Sequence, residues 1–288
     1  MEAVRCNLCG SGDATLLFGA RDINYKITRE EFSVVRCLVC GLVYLNPRPE
    51  ESKLYQFYPD AYRPYHDKRT TIYRSSRELI ESIYLEPEHP SKYVLDIGSG
   101  GGDFLAEIHK KDPTLALYGV DFDRRAVEAG REKGFPIFCG SLEKANYPAE
   151  KFDEAHMSHF LEHVPDPLEA LKETARILKP DGVLIITIPN FRSISRMIFG
   201  KYWYHLDAPR HLYHFTPRTL TAMLRKAGFR NIYIEFIPSP KYFLQSYAFW
   251  KYGGKKSFPK LIWRVLVLPS YSTSMLHLSS TMRATTRK

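Results

Sequence analysis

No Asp or Glu occurs between Lys241 and Lys288, although nine bases do. Removing those nine from the 41 bases of the whole chain leaves 32 bases against 32 acids in the first 240 residues, so the formal charge of +9 belongs to one end. A protein basic over its whole surface, as many nucleic-acid binders are, is not what this distribution describes. The chain also lacks an apolar run of the roughly 20 residues that span a bilayer. Its best candidate, Leu261 to Leu268, is short and carries Arg264. The N-terminus has no apolar stretch of the secretory-leader kind. These absences predict a cytoplasmic chain with reduced thiols. Cysteine is scarce, five in 288 residues, which excludes a disulfide-stapled scaffold. What is present is ordinary for a globular protein: 44% hydrophobic and 25% charged residues, enough to bury a sizeable core.

Four of the five cysteines form two pairs, Cys6-x-x-Cys9 and Cys37-x-x-Cys40, each followed by glycine. A two-residue spacer lets a tight knuckle aim both thiolates at one ion, and the glycine frees the backbone to turn around the sulfurs. With the strand-like Phe32 to Arg36 between the pairs, the pattern predicts a small zinc ribbon. Four thiolates leave no open coordination position, so its Zn2+ is structural. A redox Cys-x-x-Cys does not account for two copies. Cys139, in an apolar stretch, is expected as a buried core thiol.

Asn46-Pro-Arg-Pro49 reads as a linker, followed by Tyr55, Tyr58, Tyr62 and Tyr65. Ile72, Leu79, Ile80 and Ile83 have helical spacing over 70–85. From Tyr93 onward, apolar runs alternate with helical segments. Strands are expected at 93–97, 115–120, 137–138, 152–156, 183–188 and 232–236, and helices at 102–111, 124–133 and 168–178. Lys179 to Gly182 reads as a turn into the next strand. Such alternation implies parallel strands with right-handed helical crossovers, an α/β sandwich. The expected units are a zinc-ribbon module (1–50), a Tyr-rich linker and helix (51–91), a core (92–240) with an insertion at 191–217, and a basic, aromatic segment (241–288). That last segment is expected to complete the sheet with a strand near 280–286.

Asp96-Ile-Gly98-Ser-Gly100-Gly101-Gly102-Asp103 joins a strand to a helix. Glycines there let backbone N–H groups approach a ligand closely. A dinucleotide fingerprint wants a third glycine where Asp103 stands, and Asp96 suits a cofactor with a positive centre better than a pyrophosphate. Asp121 ends the next strand, where a carboxylate accepts both ribose hydroxyls of an adenosine, and Phe122 is placed to cover the adenine.

At these residues the sequence resembles the class I S-adenosylmethionine (SAM) methyltransferases, over roughly Tyr93 to Ile237. Gly140-Ser141-Leu142-Glu143, Leu161-Glu162-His163-Val-Pro-Asp166-Pro167, Arg176 to Gly182 and Ile188-Pro-Asn190 carry the likeness further, with Asp181 where the family usually has glycine. The cysteine knuckles, Asn46 to Pro49, and His211-Leu-Tyr-His214-Phe-Thr-Pro217 resemble the zinc-ribbon-bearing subgroup that includes sugar C-methyltransferases. The resemblance implies an α/β fold: a seven-stranded Rossmann-like class I methyltransferase sheet with helices on both faces, preceded by a small zinc ribbon. It also implies that Gly98, Gly100 and Gly102 wall the methionine part of SAM, that Asp121 holds the ribose, and that Ser141 and Leu142 border the adenine. His159 would face the methyl group.

Methyl transfer to a hydroxyl, or to a carbon beside a carbonyl, needs a base as well as alignment. His211 is the first candidate and His214 the second, because both lie in the insertion that caps the site in relatives, among Trp203, Tyr204, Tyr213 and Phe215. His159, Glu162 and His163 would share one face if helical. Related enzymes with Glu-x-x-Glu-His there hold a divalent metal, but His159 replaces the first carboxylate. No Asn-Pro-Pro-Tyr motif follows the fourth strand and no cysteine follows Cys139, which argues against amino-directed and cytosine-C5 nucleic-acid methylation. The expected partner is a small-molecule, sugar-like acceptor, free or linked to a nucleotide or lipid. RNA methylation through the ribbon and basic end is the alternative, and a non-catalytic SAM-binding scaffold is a third reading. The basic aromatic end also suggests peripheral contact with an anionic membrane.

Overall fold

The computed structural model describes residues 1–59, 92–237, 240–253 and 280–288. The helix expected over 70–85 lies outside them, as do Lys255, Lys256, Trp263 and Arg264 of the basic segment.

Alternating burial explains the first strands. β1 (Ala14–Arg21), β2 (Glu31–Cys37) and β3 (Val43–Leu45) form an antiparallel set, β1 against β2 against β3. Phe32, Val34, Leu42 and Tyr44 are buried between this set and the rest of the chain. The larger sheet begins with β4 (Tyr93–Ile97), β5 (Ala116–Asp121), β6 (Ile137–Cys139), β7 (Phe152–Ser158) and β8 (Leu178–Pro189). The short β9 (Tyr213–His214) belongs elsewhere, and β10 (Arg230–Ile237) and β11 (Thr281–Arg287) close the sheet. Its order is β10-β11-β8-β7-β4-β5-β6. β4 through β8 pair in parallel, and β11 runs antiparallel between β8 and β10. This is a mixed-strand, Rossmann-like class I methyltransferase sheet of seven strands.

Helices α1 (Asp103–Lys111), α2 (Arg124–Glu132) and α3 (Pro167–Ile177) make the crossovers. Successive side chains of a strand face opposite ways. Val94 and Leu117 accordingly pack with Leu105, Ile108 and Val127 of α1 and α2, whereas Leu95 and Ile97 join the cluster containing Leu171 of α3. Two helix starts follow directly from sequence chemistry. The Asp123 carboxylate accepts the Arg125 N–H at 2.9 Å, and Asp166 accepts that of Glu169 at 3.0 Å, with Pro167 in the first turn.

Two expectations need correction. Lys179 to Gly182 do not separate helix from strand: β8 starts at Leu178 opposite Phe152, bulges through Asp181 at φ 62°, and resumes at Val183 opposite Glu154. Cys139 is half-buried, because β6 is the outermost strand of the sheet and covers it from one side only.

The segment between β8 and β10 contains α4 (Ile194–Phe199), β9 and α5 (Pro217–Lys226), the last opened by a Thr216–Thr219 capping box. It is sewn to the N-terminal strands. β9 pairs with β3 (Val43 opposite His214, Tyr44 opposite Tyr213), giving a four-stranded sheet β1-β2-β3-β9. Arg48 donates to the Tyr213 hydroxyl and to the Pro165 carbonyl, both at 2.9 Å. Asn7 donates to Asp166 at 2.8 Å and accepts from the Leu168 N–H at 3.0 Å. At the centre lies Arg210, wholly buried, which donates to Asp22 at 2.6 and 3.2 Å, to Asp207 at 2.9 and 3.0 Å, and to the Phe57 carbonyl at 2.8 Å. Beyond β10, α6 (Pro240–Tyr252) packs on α4. No helix among the described residues is long and apolar enough to cross a membrane.

Removing one partner from a buried ion cluster strands the others without compensation. Arg210→Ala is therefore expected to cost about 3–5 kcal/mol of folding stability. Lys110→Ala, which removes only an exposed partner of Glu107, is expected to cost under about 0.5 kcal/mol. Urea unfolding of both variants checks this; equal losses would remove the cluster from its central place.

Candidate active site

In an open α/β sheet the crevice for ligands lies beyond the carboxyl ends of the strands, where the strand order reverses. Here that point falls between β4 and β7, and a cavity of about 450 Å³ opens there. One end is built by the turn after β4 and the ends of β5 and β6. Asp96, Gly98, Gly100, Asp121, Phe122, Ser141 and Leu142 all line it. Gly102 does not: at φ 70° it precedes α1 and packs against Phe135 and Ile137. Gly98, at φ 80°, sits so close to Phe160 that a Cβ would come within 2.7 Å of that ring.

The glycine turn is held by the acid after β5. Asp121 accepts the Gly100 N–H on one oxygen and the Asp123 N–H on the other, both at 2.8 Å. Burial pushes the Asp121 carboxyl up to about 6 and the Asp96 carboxyl up to about 7. Two acids whose burial outweighs their stabilisation fit a ligand that brings hydroxyl donors and a positive charge, and the donor set fits SAM.

The other end of the cavity is imidazole-rich. His159, His163, His205 and His211 line it, together with His156 deeper in the crevice. His159 to His163 form a turn rather than a helix, and His159 has φ 52°. His159 still reaches Glu162, with Nδ1 at 3.2 Å from Oε1, and stacks on His205. His211 donates from Nδ1 to the His205 carbonyl at 2.8 Å, which turns Nε2 toward Glu162, 4.0 Å away. His163 Nδ1 lies 3.1 Å from the Arg210 carbonyl and 2.9 Å from the Tyr58 hydroxyl. Burial opposes ionisation of Glu162, but His159, His211 and His163 outweigh it and bring the carboxyl down to about 2. Burial holds His163 down at about 3 and keeps His205 well below its usual value.

Of the three predicted catalytic histidines, His159 and His211 face the cavity and His214 does not. His214 is buried behind it, stacked on Phe191, and burial holds its pKa at about 3. The grouping His159, Glu162 and His163 is replaced by Glu162, His163 and His211, whose ligand atoms lie within 4.8 Å of one another and could hold a metal ion. Cys6, Cys9, Cys37 and Cys40 form the second such group, with the Cys6–Cys40 and Cys9–Cys37 sulfurs each 3.4 Å apart. Four thiols at that spacing match a tetrahedral ion with bonds of about 2.3 Å.

One wall of the cavity carries no motif in the sequence. Asn24, Tyr25 and Tyr58 line the cavity from the N-terminal part, and Lys241, Tyr242 and Gln245 from α6. Tyr58 lay in a stretch whose tyrosines were conspicuous. Asn24 gave no signal, because it reaches the cavity only through the Asp22–Arg210 cluster.

A family model described as a methyltransferase domain matches residues 68–234. The chain is 29% identical over 133 residues to a ubiquinone biosynthesis O-methyltransferase of Coxiella burnetii, covering 44% of this chain and 53% of that protein. It is 31% identical over 167 residues to a demethylmenaquinone methyltransferase of Staphylococcus aureus, covering 49% of this chain and 69% of the relative. The chain thus spans about half the length of the first of these relatives. Among solved structures, a SAM-dependent methyltransferase from Archaeoglobus fulgidus aligns with a TM-score of 0.53 and 21% identity, over 76% of this chain and 96% of that one, a likeness of fold.

The buried neutral histidines make stability depend on acid. Below pH 6.5 the unfolded chain protonates His214 while the folded chain does not, so its contribution is complete above pH 6.5 and is lost as pH falls toward 3. Between pH 6.5 and 5, His214→Gln is expected to lose about 2 kcal/mol less stability than the parent. Urea midpoints across that range check it; parallel curves would mean that His214 titrates freely.

Proposed function

Since the chain belongs to the methyltransferase-domain family, we propose that it is a class I SAM-dependent methyltransferase acting on a small-molecule acceptor, with a sugar, free or linked to a nucleotide or lipid, as the leading class. The observation that carries the reading is a single cavity with the glycine turn and Asp121 at one end and His159 and His211 at the other. Asp96, Gly98 and Gly100 would border the methionine part of the cofactor, Asp121 the ribose, and Phe122, Ser141 and Leu142 the adenine. When bound, SAM supplies an electrophilic methyl group for in-line displacement.

The chain's own part is alignment and proton removal. With its Nδ1–H committed to the His205 carbonyl, His211 carries its lone pair on Nε2 and can take the acceptor's proton there. Glu162, buried and held ionised, stabilises the imidazolium that results. His159 shares Glu162 and sits where acceptor and methyl group would meet. His214 braces the wall behind them, with its ring on Phe191.

The four cysteines form, on this reading, a structural zinc site. A zinc content near one equivalent, lost in Cys37→Ser, is the expected outcome of metal analysis. Full zinc content in that variant would refute the four-thiolate site.

Calorimetry should detect SAM binding, weakened by about 100-fold or more in Asp121→Ala, because two charge-assisted hydrogen bonds go. His211→Gln should leave SAM affinity within about twofold but lower kcat by about 10²–10⁴. Incubation with methyl-tritiated SAM and fractionated cell extract identifies the acceptor. Absence of SAM binding would overturn the enzyme, and label in RNA would overturn the sugar.

A further inference from the structure

The cavity wall away from the glycine turn is assembled from three separate stretches: the turn after β1, the 3-10 turn Tyr204–Leu206, and α6. Each brings one buried polar atom that has no hydrogen-bond partner among the described residues. They are Asn24 Oδ1, His205 Nε2 and Gln245 Oε1. A buried polar atom left unpaired costs stability, and three of them around one cavity are unusual unless a ligand supplies the missing partners.

Their chemistry narrows the ligand. The Asn24 amide is oriented by its surroundings, because Nδ2 donates to Asp207 Oδ1 at 2.9 Å, so Oδ1 is an acceptor in need of a donor. A carboxylate or phosphate oxygen cannot serve it, having only lone pairs to offer. His205 is fully buried and held neutral, so its Nε2 donates or accepts according to tautomer. The Gln245 amide offers either face. A hydroxyl group both donates and accepts, and therefore satisfies all three atoms whichever tautomer and amide orientation hold. Around them, Tyr204 and Tyr242 stack at 5.3 Å, and His205 meets Tyr242 edge-on at 4.1 Å, flat apolar faces against which a ring can lie.

We propose that Asn24, His205 and Gln245 form a subsite for hydroxyl groups of the methyl acceptor, with Asn24 contributed by the cysteine-bearing N-terminal part of the chain. The subsite deepens the methyltransferase reading and rests on it, but it does not require the acceptor to be a sugar; a catechol or an inositol fits the same three atoms. Asp207 links it to the core, since that carboxylate holds both the Asn24 amide and the Arg210 guanidinium.

Two measurements on the full chain test it. In the first, protein saturated with S-adenosylhomocysteine is heated with glucose, myo-inositol or catechol, and with succinate or benzoate. A rise in Tm with at least one hydroxylated compound, absent with the two carboxylates and lost in Asn24→Ala, is the expected result. No shift with any hydroxylated compound, or equal shifts with the carboxylates, overturns the subsite. In the second, the extract fraction that accepts label from tritiated SAM is titrated against parent, Asn24→Ala and Gln245→Ala. Each variant should need about tenfold more of the fraction for half-maximal rate, with SAM affinity unchanged. Unchanged titrations with a labelled sugar overturn the subsite and leave the sugar reading intact. A labelled catechol with the tenfold shift does the reverse. Failure to bind SAM at all removes the enzyme reading, while the heating experiment, repeated without S-adenosylhomocysteine, still decides whether the three atoms bind hydroxyl groups.

Discussion

A guanidinium with every N–H donor directed at a carboxylate or a carbonyl, and no exposed surface, cannot be moved without leaving charge unpaired in the interior. Arg210 is in that position, fixed by Asp22 from the N-terminal strands and by Asp207 from its own loop. Association of the two carboxylates with one cation outweighs the burial that opposes it, holding the Asp207 carboxyl well below its usual range. The geometry of the cavity descends from this point. The Arg210 carbonyl meets His163 Nδ1, the next residue is His211, and Asp207 also orients Asn24. One ion cluster thus registers the cysteine-bearing strands, the insertion and the histidines against one another. The pairing of β3 with β9 closes the same joint a few residues on.

The cavity is chemically two-ended, and the neighbours of its buried acids make it so. At the glycine turn, burial raises Asp96 and Asp121 because no cation among the described residues outweighs it. At the opposite end, histidines surround a single carboxylate, and the outcome is inverted: Glu162 stays ionised while His163 stays neutral. The same desolvation acts on both ends, so the difference comes from what surrounds each acid. A cationic methyl donor suits the first end. A group that must give up a proton suits the second, where a lone pair on His211 Nε2 and a fixed negative charge stand side by side.

The strands and helices were legible in the sequence wherever local pattern and packing agree. Val183 to Ile188, bounded by turn chemistry, could hardly be anything but an interior strand, and Asp166-Pro167 announces the start of a helix. The glycine turn and Asp121 were legible because a close backbone approach demands specific residue types at fixed spacing. The histidine cluster was legible only in part. His159, Glu162 and His163 suggest one helical face, yet the chain turns there; His159 still reaches Glu162, and His211 from the distant insertion joins Glu162 and His163, a grouping that helical spacing does not contain. His214, only three residues beyond His211, enters β9, and strand pairing directs it behind the wall. Asn24 lies between Asp22 and the strand-poor loop that follows it, in a stretch with no periodicity. Its placement depends on a pairing across 188 residues that no local rule contains.

Charge segregation along the chain is likewise undone in part among the described residues. β11, from the acid-free end, inserts between β8 and β10 and carries its bases with it. Arg283 pairs with Glu235 at 2.6 Å, and Lys288 approaches Glu150 at 3.6 Å while donating to the Leu178 carbonyl at 2.8 Å. Lys251 lies over the rings of Tyr247 and Tyr252. Lys241 lines the cavity itself, one residue before Tyr242. The described bases of that end are therefore spread over an inner strand of the sheet, a helix surface and the cavity wall, several of them beside acids or rings. A surface electrostatic reading based on sequence position would place the excess in one patch; the antiparallel insertion of β11 disperses part of it, because a strand that completes a sheet from its middle must distribute its side chains over both faces.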